Sequence, residues 1–233
     1  MKRLAIFVEG QTEKIFVRKL LEEIAGKNNI AIAEQDMQGR QNSRFTVLTM
    51  SDPVTAQTKY YVLICNSGSD NSFVSDIRDQ YASLVSSGYS KIIGLRDVYP
   101  IPIADKGILE RSLRTVLPRG GVSSHIVLAV MEVEAWFLAE WKHFMKIDAN
   151  LTPSLIQLNL GFNPEVDNME HRNHPAEDLH KAYQLVGKSY RKKENHVNRV
   201  VSNLDYEFLY LQLAGVVPSL GKFIRYIDDF MVL

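Results

Sequence analysis

The chain has 233 residues, of which 45% are hydrophobic, and its 27 basic and 27 acidic residues give a formal net charge of zero. This composition predicts a packed core and excludes a generally disordered chain. Bulk charge gives no attraction to nucleic acid, so any such binding requires a local basic patch. No segment approaches the roughly 20 apolar residues of a membrane span, and the first residues do not resemble a signal peptide. We therefore expect a soluble, cytoplasmic protein.

The first predicted elements are a buried strand and a helix. Residues 3–8 are mostly apolar, and Glu9 and Gly10 follow them directly. Apolar residues return at helical spacing over residues 12–25, and Gly26 stands where a C-cap glycine belongs. Glu9 is therefore predicted at the carboxyl end of a strand, where open parallel sheets bind their ligands.

Further elements follow in the same alternation. Predicted strands lie at residues 30–33, 45–50, 60–65, 91–96 and 125–131, with a polar loop predicted over 35–43. Helical spacing recurs over residues 73–85, 108–117 and 135–139. Strands that alternate with amphipathic helices predict an α/β fold with a mostly parallel, Rossmann-like sheet flanked by helices.

The regular spacing of apolar residues ends near residue 150. Residues 151–166 show no clear period, whereas Pro175 suits the first turn of a helix toward residue 186. Short helices are predicted over 195–201, 205–213 and 219–233. We predict an α/β domain over residues 1–148 and a helical C-terminal region over 149–233, packed on that domain.

Acidic residues follow three of the predicted strands. Glu9, Asp97 and the pair Glu132 and Glu134 hold these positions. If the strands are parallel and adjacent, the carboxylates converge at one edge of the sheet, where mutual repulsion requires a cation or raised pKa values. Mg²⁺ or Mn²⁺ suits such oxygen ligands and can activate water for attack on a phosphodiester. The alternative for each acid alone is a favourable interaction with a helix dipole.

The segment Glu9-Gly10-Gln11-Thr12-Glu13 after an apolar strand resembles the first motif of TOPRIM domains, in the form found in the overcoming-lysogenization-defect (OLD) nucleases. The resemblance implies that Glu9 is catalytic and that Glu13 is the second acid of the motif. It implies a later Asp-x-Asp motif, whose counterpart here is Asp97-Val98-Tyr99, with a tyrosine at the second acid position. A further acid after the next strand matches Glu132 or Glu134.

Several other segments are similar to a bacterial family of small TOPRIM-like proteins of undefined function. They are Asp97-Val98-Tyr99-Pro100, Glu132-Val133-Glu134-Ala135-Trp136-Phe137, Asn173-His174-Pro175 and the closing Val217-Pro218 with Phe223 and Phe230. The resemblance thus covers most of the chain.

The resemblance implies a Mg²⁺-dependent nuclease that acts on DNA or RNA. Glu9 would be a metal ligand or general base, Asp97, Glu132 and Glu134 would be metal ligands, and Glu13 would assist. The sequence has no phosphate loop of the Gly-x-x-x-x-Gly-Lys type, so the family habit implies a separate ATPase and, by analogy, a role in phage defence. Because a phenol at Tyr99 is a poor ligand at neutral pH, a non-catalytic module that binds a protein or a nucleotide is the alternative.

A basic cluster is the candidate contact for nucleic acid. Lys188, Arg191, Lys192 and Lys193 surround Tyr190, whose ring could stack on a base. A solvated helix face is the alternative for this cluster. Arg96, beside Asp97, could contact a phosphate or form an ion pair. The sequence leaves the oligomeric state open.

Overall fold

The computed structural model describes residues 1–39 and 43–232. It contains a six-stranded sheet with the strand order β3-β2-β4-β1-β5-β6. The pairs β1–β4, β1–β5 and β2–β4 are parallel, and β3 runs antiparallel to β2. The predicted α/β fold with a mostly parallel sheet is confirmed. The strands are β1 (Lys2–Val8), β2 (Ile30–Gln38), β3 (Phe45–Ser51), β4 (Tyr60–Asn66), β5 (Lys91–Asp97) and β6 (Ser123–Ala129).

Strand β1 is an interior strand of this sheet. Ile6 lies between Ile64 of β4 and Ile93 of β5, and every side chain from Leu4 to Val8 is fully buried. A strand covered on both faces reads as a continuous apolar run rather than an alternation. That burial explains why residues 3–8 show no period of two.

Strand β2 is longer than its apolar residues predicted. It continues to Gln38 because Asp36 pairs with Val47 and Gln38 pairs with Phe45 of the antiparallel strand β3. The prediction of a loop beginning at residue 35 was therefore wrong for 35–38, where backbone pairing outweighs the polar composition. Residues 40–42 of that predicted loop lie outside the described residues.

Helices flank the sheet and form most of the C-terminal region. They are α1 (Gln11–Ala25), α2 (Asp70–Ser86), α3 (Lys106–Val116), α4 (Glu134–Ala139), α5 (Lys142–Ile147), α6 (Pro153–Leu160), α7 (Pro175–Gln184), α8 (Glu194–Asn203), α9 (Tyr206–Phe208), α10 (Ala214–Val216) and α11 (Pro218–Met231). A π-helical segment, Leu209–Leu213, joins α9 to α10. In the parts of the chain that the structure describes, no helix combines the length and the apolar character needed to cross a bilayer.

Two of the helices with more than three residues had no counterpart in the sequence prediction. Helix α6 begins with a Thr152 cap, whose hydroxyl accepts the Leu155 amide at 3.2 Å, and ends at Gly161 in the left-handed region. Helix α5 is a short helix directly after α4, and three of its six residues are apolar. Both are too short to show a period above noise, so the local cap of α6 was the more informative signal.

The chain divides into two compact units, each made of several segments. The first unit comprises Met1–Arg96, Gly107–Leu128 and the end of the chain from Tyr226, and the second comprises Asp97–Lys106 and Ala129–Arg225. The second unit has its own aromatic core, in which Trp136, Phe137, Phe144, Tyr183 and Phe223 are fully buried. The predicted boundary between residues 148 and 149 stays a prediction.

Candidate metal site

Three buried carboxylates meet in the second unit. Asp97, Glu132 and Glu134 are 7%, 8% and 0% exposed, and each offers an oxygen atom within 4.8 Å of the others. Among the described residues this is the one group of three or more His, Cys, Asp or Glu side chains with that spacing. The cluster could hold a metal ion.

The backbone after β5 and β6 brings these acids together. Asp97 is the last residue of β5, and the next two amides bond to the chain that leaves β6: Val98 to the Ala129 carbonyl at 3.0 Å, Tyr99 to the Met131 carbonyl at 2.8 Å. Met131 has a positive φ of 60°, a conformation that costs a non-glycine residue about 1 kcal/mol or more. This tight turn delivers Glu132 and Glu134 beside Asp97.

One oxygen of each carboxylate is held by a hydrogen-bond donor. The Val133 amide donates to Asp97 Oδ1 at 3.0 Å, and the Ala176 amide donates to Glu132 Oε2 at 2.9 Å. The Tyr190 hydroxyl donates to Glu134 Oε1 at 2.7 Å. These bonds fix the orientation of all three acids, because each leaves a single oxygen to face the centre of the cluster.

The second oxygen of each carboxylate faces the same ammonium group. Lys192 Nζ lies 3.6 Å from Asp97 Oδ2, 3.0 Å from Glu132 Oε1 and 3.4 Å from Glu134 Oε2. The Lys192 side chain is 42% exposed, whereas the acids are buried. Three carboxylates around one ammonium group leave an excess of negative charge, so the centre of the cluster attracts a further or stronger cation.

The connection between α7 and α8 carries both Tyr190 and Lys192. The Tyr190 amide donates to His180 Nδ1 at 3.2 Å, and the Arg199 guanidinium donates to the Ser189 carbonyl. Residues 188–193 therefore form a loop held by these two hydrogen bonds, and not the solvated helix face that was the alternative for this cluster. Tyr190 is 1% exposed, so its ring is not available to stack on a base, and that expectation is corrected.

Tyr190 is supported by a second buried tyrosine. The rings of Tyr183 and Tyr190 meet edge to face, with centroids 6.4 Å apart. Burial raises the pKa of Tyr183 well above its usual range, and Glu140 adds to that shift. The Tyr183 hydroxyl has no hydrogen-bond partner among the described residues. The contact between the two rings is therefore one of packing, and it limits the positions that Tyr190 can adopt.

The other basic candidates lie in different environments. Lys188 forms an ion pair with Asp148 at 3.3 Å, while Arg191 and Lys193 are exposed. Their contact with nucleic acid stays a prediction. Lys192 was predicted as a nucleic-acid contact, and its position among the three acids is a finding that the basic run alone did not indicate.

Glu9, Glu13 and Arg96 belong to the first unit and have contacts of their own. Glu9 Oε1 lies 3.0 Å from Arg96 Nε, so of the two alternatives for Arg96 the structure contains the ion pair. Glu13 is 4% exposed, and its carboxylate lies close to Gly10. A side chain at position 10 would bring a Cβ atom within 3.2 Å of Glu13 Oε2. Neither acid is a member of the cluster that could hold a metal, and their catalytic roles stay predictions.

Sequence reasoning missed the groups that hold the acids. The Ala176 amide had a signal, because Pro175 predicted a helix start and the first amides of a helix are free to bind a carboxylate. Nothing in the sequence indicated the Val133 amide or the Tyr190 hydroxyl, since each reaches its acid only through contacts between residues that are distant along the chain. Tyr99 is 45% exposed and packs against the His174 ring with centroids 5.9 Å apart.

Comparisons with known proteins give a family but no activity. A family model described as "Domain of unknown function (DUF4276)" matches residues 8–209. No curated protein matches the chain. The chain is also similar to the crystal structure of a hypothetical protein from Pyrococcus horikoshii OT3, with 12% identity, a TM-score of 0.44 and 100% of each chain covered.

Proposed function

Because the chain belongs to the DUF4276 family, whose model states no function, we propose its function from the site: a divalent-metal-dependent nuclease that hydrolyses phosphodiester bonds in DNA or RNA. The observation that carries this proposal is the arrangement of Asp97, Glu132 and Glu134. Each has one oxygen held by a donor and the other directed at a shared cation position.

The donor set fits Mg²⁺ or Mn²⁺. All three side chains offer carboxylate oxygens, which these hard cations prefer, and neither sulfur nor imidazole is in the group. A bound ion would supply charge to polarise a phosphate and to lower the pKa of a bound water. Asp97, Glu132 and Glu134 would hold it.

The remaining residues of the site would act on the substrate. Lys192 is half-exposed beside the acids, so its ammonium group can contact a phosphate oxygen. Arg191 and Lys193 flank it on the same loop and would contribute contacts to the nucleic-acid backbone. Catalytic roles for Glu9 and Glu13, a separate ATPase and a place in phage defence remain proposals from the TOPRIM resemblance.

Activity and metal binding test this proposal together. The purified chain would be incubated with plasmid DNA, single-stranded DNA and RNA in Mg²⁺ or Mn²⁺, and cleavage followed on gels. We expect metal-dependent cleavage of at least one substrate, reduced at least a hundredfold in Asp97→Asn and Glu134→Gln, since each change removes a charged ligand. Calorimetry should show that the same two substitutions weaken the binding of Mn²⁺.

Glu177→Gln is the matched control, because Glu177 is an exposed acid of the same unit whose partner is the surface residue Lys181. It should cleave and bind metal as the wild type does. Cleavage that persists in both Asp97→Asn and Glu134→Gln would show contamination and refute the assignment. Absence of Mn²⁺ binding together with survival of all three substrates would refute it as well.

One observation favours a second candidate, a non-catalytic binding module. The Lys192 ammonium group already occupies the centre of the acids, so the site has a counter-ion without a metal. In that case Mn²⁺ would not bind, none of the substrates would be cleaved, and Lys192→Met would lower stability by leaving the buried acids without their counter-ion.

A further inference from the structure

A separate cavity in the first unit is lined by cationic and aromatic side chains. It measures about 380 Å³, within the usual range for small-molecule sites. Leu117, Pro118 and Ile126 provide apolar walls, and the described residues that line the cavity include no carboxylate. The polar lining consists of Arg114, Arg119, Ser124, His125 and Tyr226.

The two arginines give this cavity its charge. Arg119 is exposed, and no ion pair to it is found among the described residues. Arg114 forms one exposed contact, to Glu110 at 2.9 Å, from within its own helix α3. Exposed pairs of this kind are weak and exchange readily, so both guanidinium groups can turn toward an anion.

A ring pair and a hydroxyl complete the cavity. His125 stacks on Tyr226 with centroids 4.2 Å apart and an angle of 19° between the planes. The Ser124 Oγ atom is buried and has no hydrogen-bond partner among the described residues. A buried hydroxyl without a partner is uncommon, and it leaves Ser124 able to form one more hydrogen bond.

We propose that this cavity binds a phosphate group carried by a nucleotide. The guanidinium groups of Arg114 and Arg119 would bind the phosphate oxygens, as their planar forks suit. Ser124 would supply a hydroxyl contact once its side chain turns into the cavity, and the His125–Tyr226 pair would lie beside the base or sugar. The cavity uses residues of the first unit only, so it is independent of the proposed nuclease site.

Calorimetry at low salt tests the proposal with three probes: inorganic phosphate, adenosine monophosphate and a 5′-phosphorylated single-stranded oligonucleotide. We expect saturable binding of adenosine monophosphate or of the oligonucleotide, weakened at least tenfold in Arg119→Gln and several-fold in Ser124→Ala. The probe that binds most tightly identifies the source of the phosphate. Arg111→Gln is the matched control, since Arg111 is an exposed arginine of α3 outside the lining.

Two results would overturn this assignment. One is that neither nucleotide probe binds saturably, and the other is that Arg111→Gln weakens binding as much as Arg119→Gln does. Asp97→Asn should leave binding of inorganic phosphate and of adenosine monophosphate unchanged, which separates this site from the acidic cluster. Thermal melting of each variant confirms that the exposed arginine changes leave the fold intact.

Discussion

At the scale of single residues, the acidic cluster depends on the hydrogen-bond donors that orient its carboxylates. Its acids are oriented by two backbone amides and by one phenol, Tyr190. Such outer contacts set the direction of a ligand and are often worth tenfold or more in metal affinity. The tyrosine is the one such donor that mutation can remove without touching the backbone.

Tyr190→Phe should weaken both the fold and the site. It removes the donor to the fully buried Glu134 carboxylate, which costs about 1–3 kcal/mol. Because Glu134 also loses its fixed orientation, we expect Mn²⁺ affinity to fall roughly tenfold. Urea unfolding and calorimetry measure the two effects.

Tyr183→Phe is the control for this change. The Tyr183 hydroxyl is equally buried but has no partner among the described residues, so its removal should be nearly neutral. Equal losses of stability in the two variants would show that the Tyr190 hydrogen bond contributes nothing specific.

At the scale of elements, side-chain caps mark the starts of two helices of the C-terminal region, α6 and α9. Asp205 accepts the Phe208 amide at 2.9 Å at the start of α9. This bond, together with the charge of Lys142, holds the pKa of Asp205 below its usual value. A lowered pKa means that the stabilisation is present above the unfolded pKa, about 4, and is lost as pH falls through the folded pKa.

Asp205→Ala should therefore cost about 1 kcal/mol at pH 7, and the difference from wild type should shrink below pH 4. Asp205→Asn keeps the accepting oxygen and does not titrate, so it should retain most of the stability at pH 7. Urea unfolding at pH 7, 5 and 3.5 measures the series. A loss in Asp205→Ala that is the same at every pH would contradict the role given to the charge.

Among the elements, those with strong local signals were predictable and those made by pairing were not. The apolar pattern alone predicted β1 and α1. Burial on both faces makes residues 3–8 a continuous apolar run, and burial on one face gives residues 12–25 their helical spacing. The second half of β2 was missed, since residues 34–38 are polar except for Met37 and form a strand only through β3 and β4. Local composition cannot report a partner that is distant in sequence.

The same reason explains the candidate site. Strand ends indicated Asp97, Glu132 and Glu134, since each follows an apolar run. Lys192 and the donors Ala176 and Tyr190 come from loops and helix starts more than 40 residues away along the chain. Their approach is a property of tertiary packing, and no period or motif in the sequence encodes it.

At the scale of the whole molecule, metal binding should appear as thermal stability. A ligand that binds only the folded chain stabilises it by about 2.7 kcal/mol at a hundredfold excess over its Kd. For a chain of this size that is a rise in Tm of roughly 5–10 °C. Differential scanning calorimetry with Mn²⁺ and with EDTA measures it.

The rise should be absent in Glu134→Gln and retained in Glu177→Gln. Because the buried acids already have Lys192 as a counter-ion, EDTA should leave the wild type folded. A chain that unfolds in EDTA at room temperature would contradict that expectation.

Because Lys192 already lies against the three acids, a metal ion can enter the proposed site only by displacing the lysine ammonium group. Any metal that enters competes with a tethered ammonium group, so the apparent affinity is the difference between two cations for the same oxygens. The displaced side chain stays within reach on its loop. Metal loading would thus convert an internal counter-ion into an anion receptor beside the metal, and binding of a phosphate would favour loading of the site.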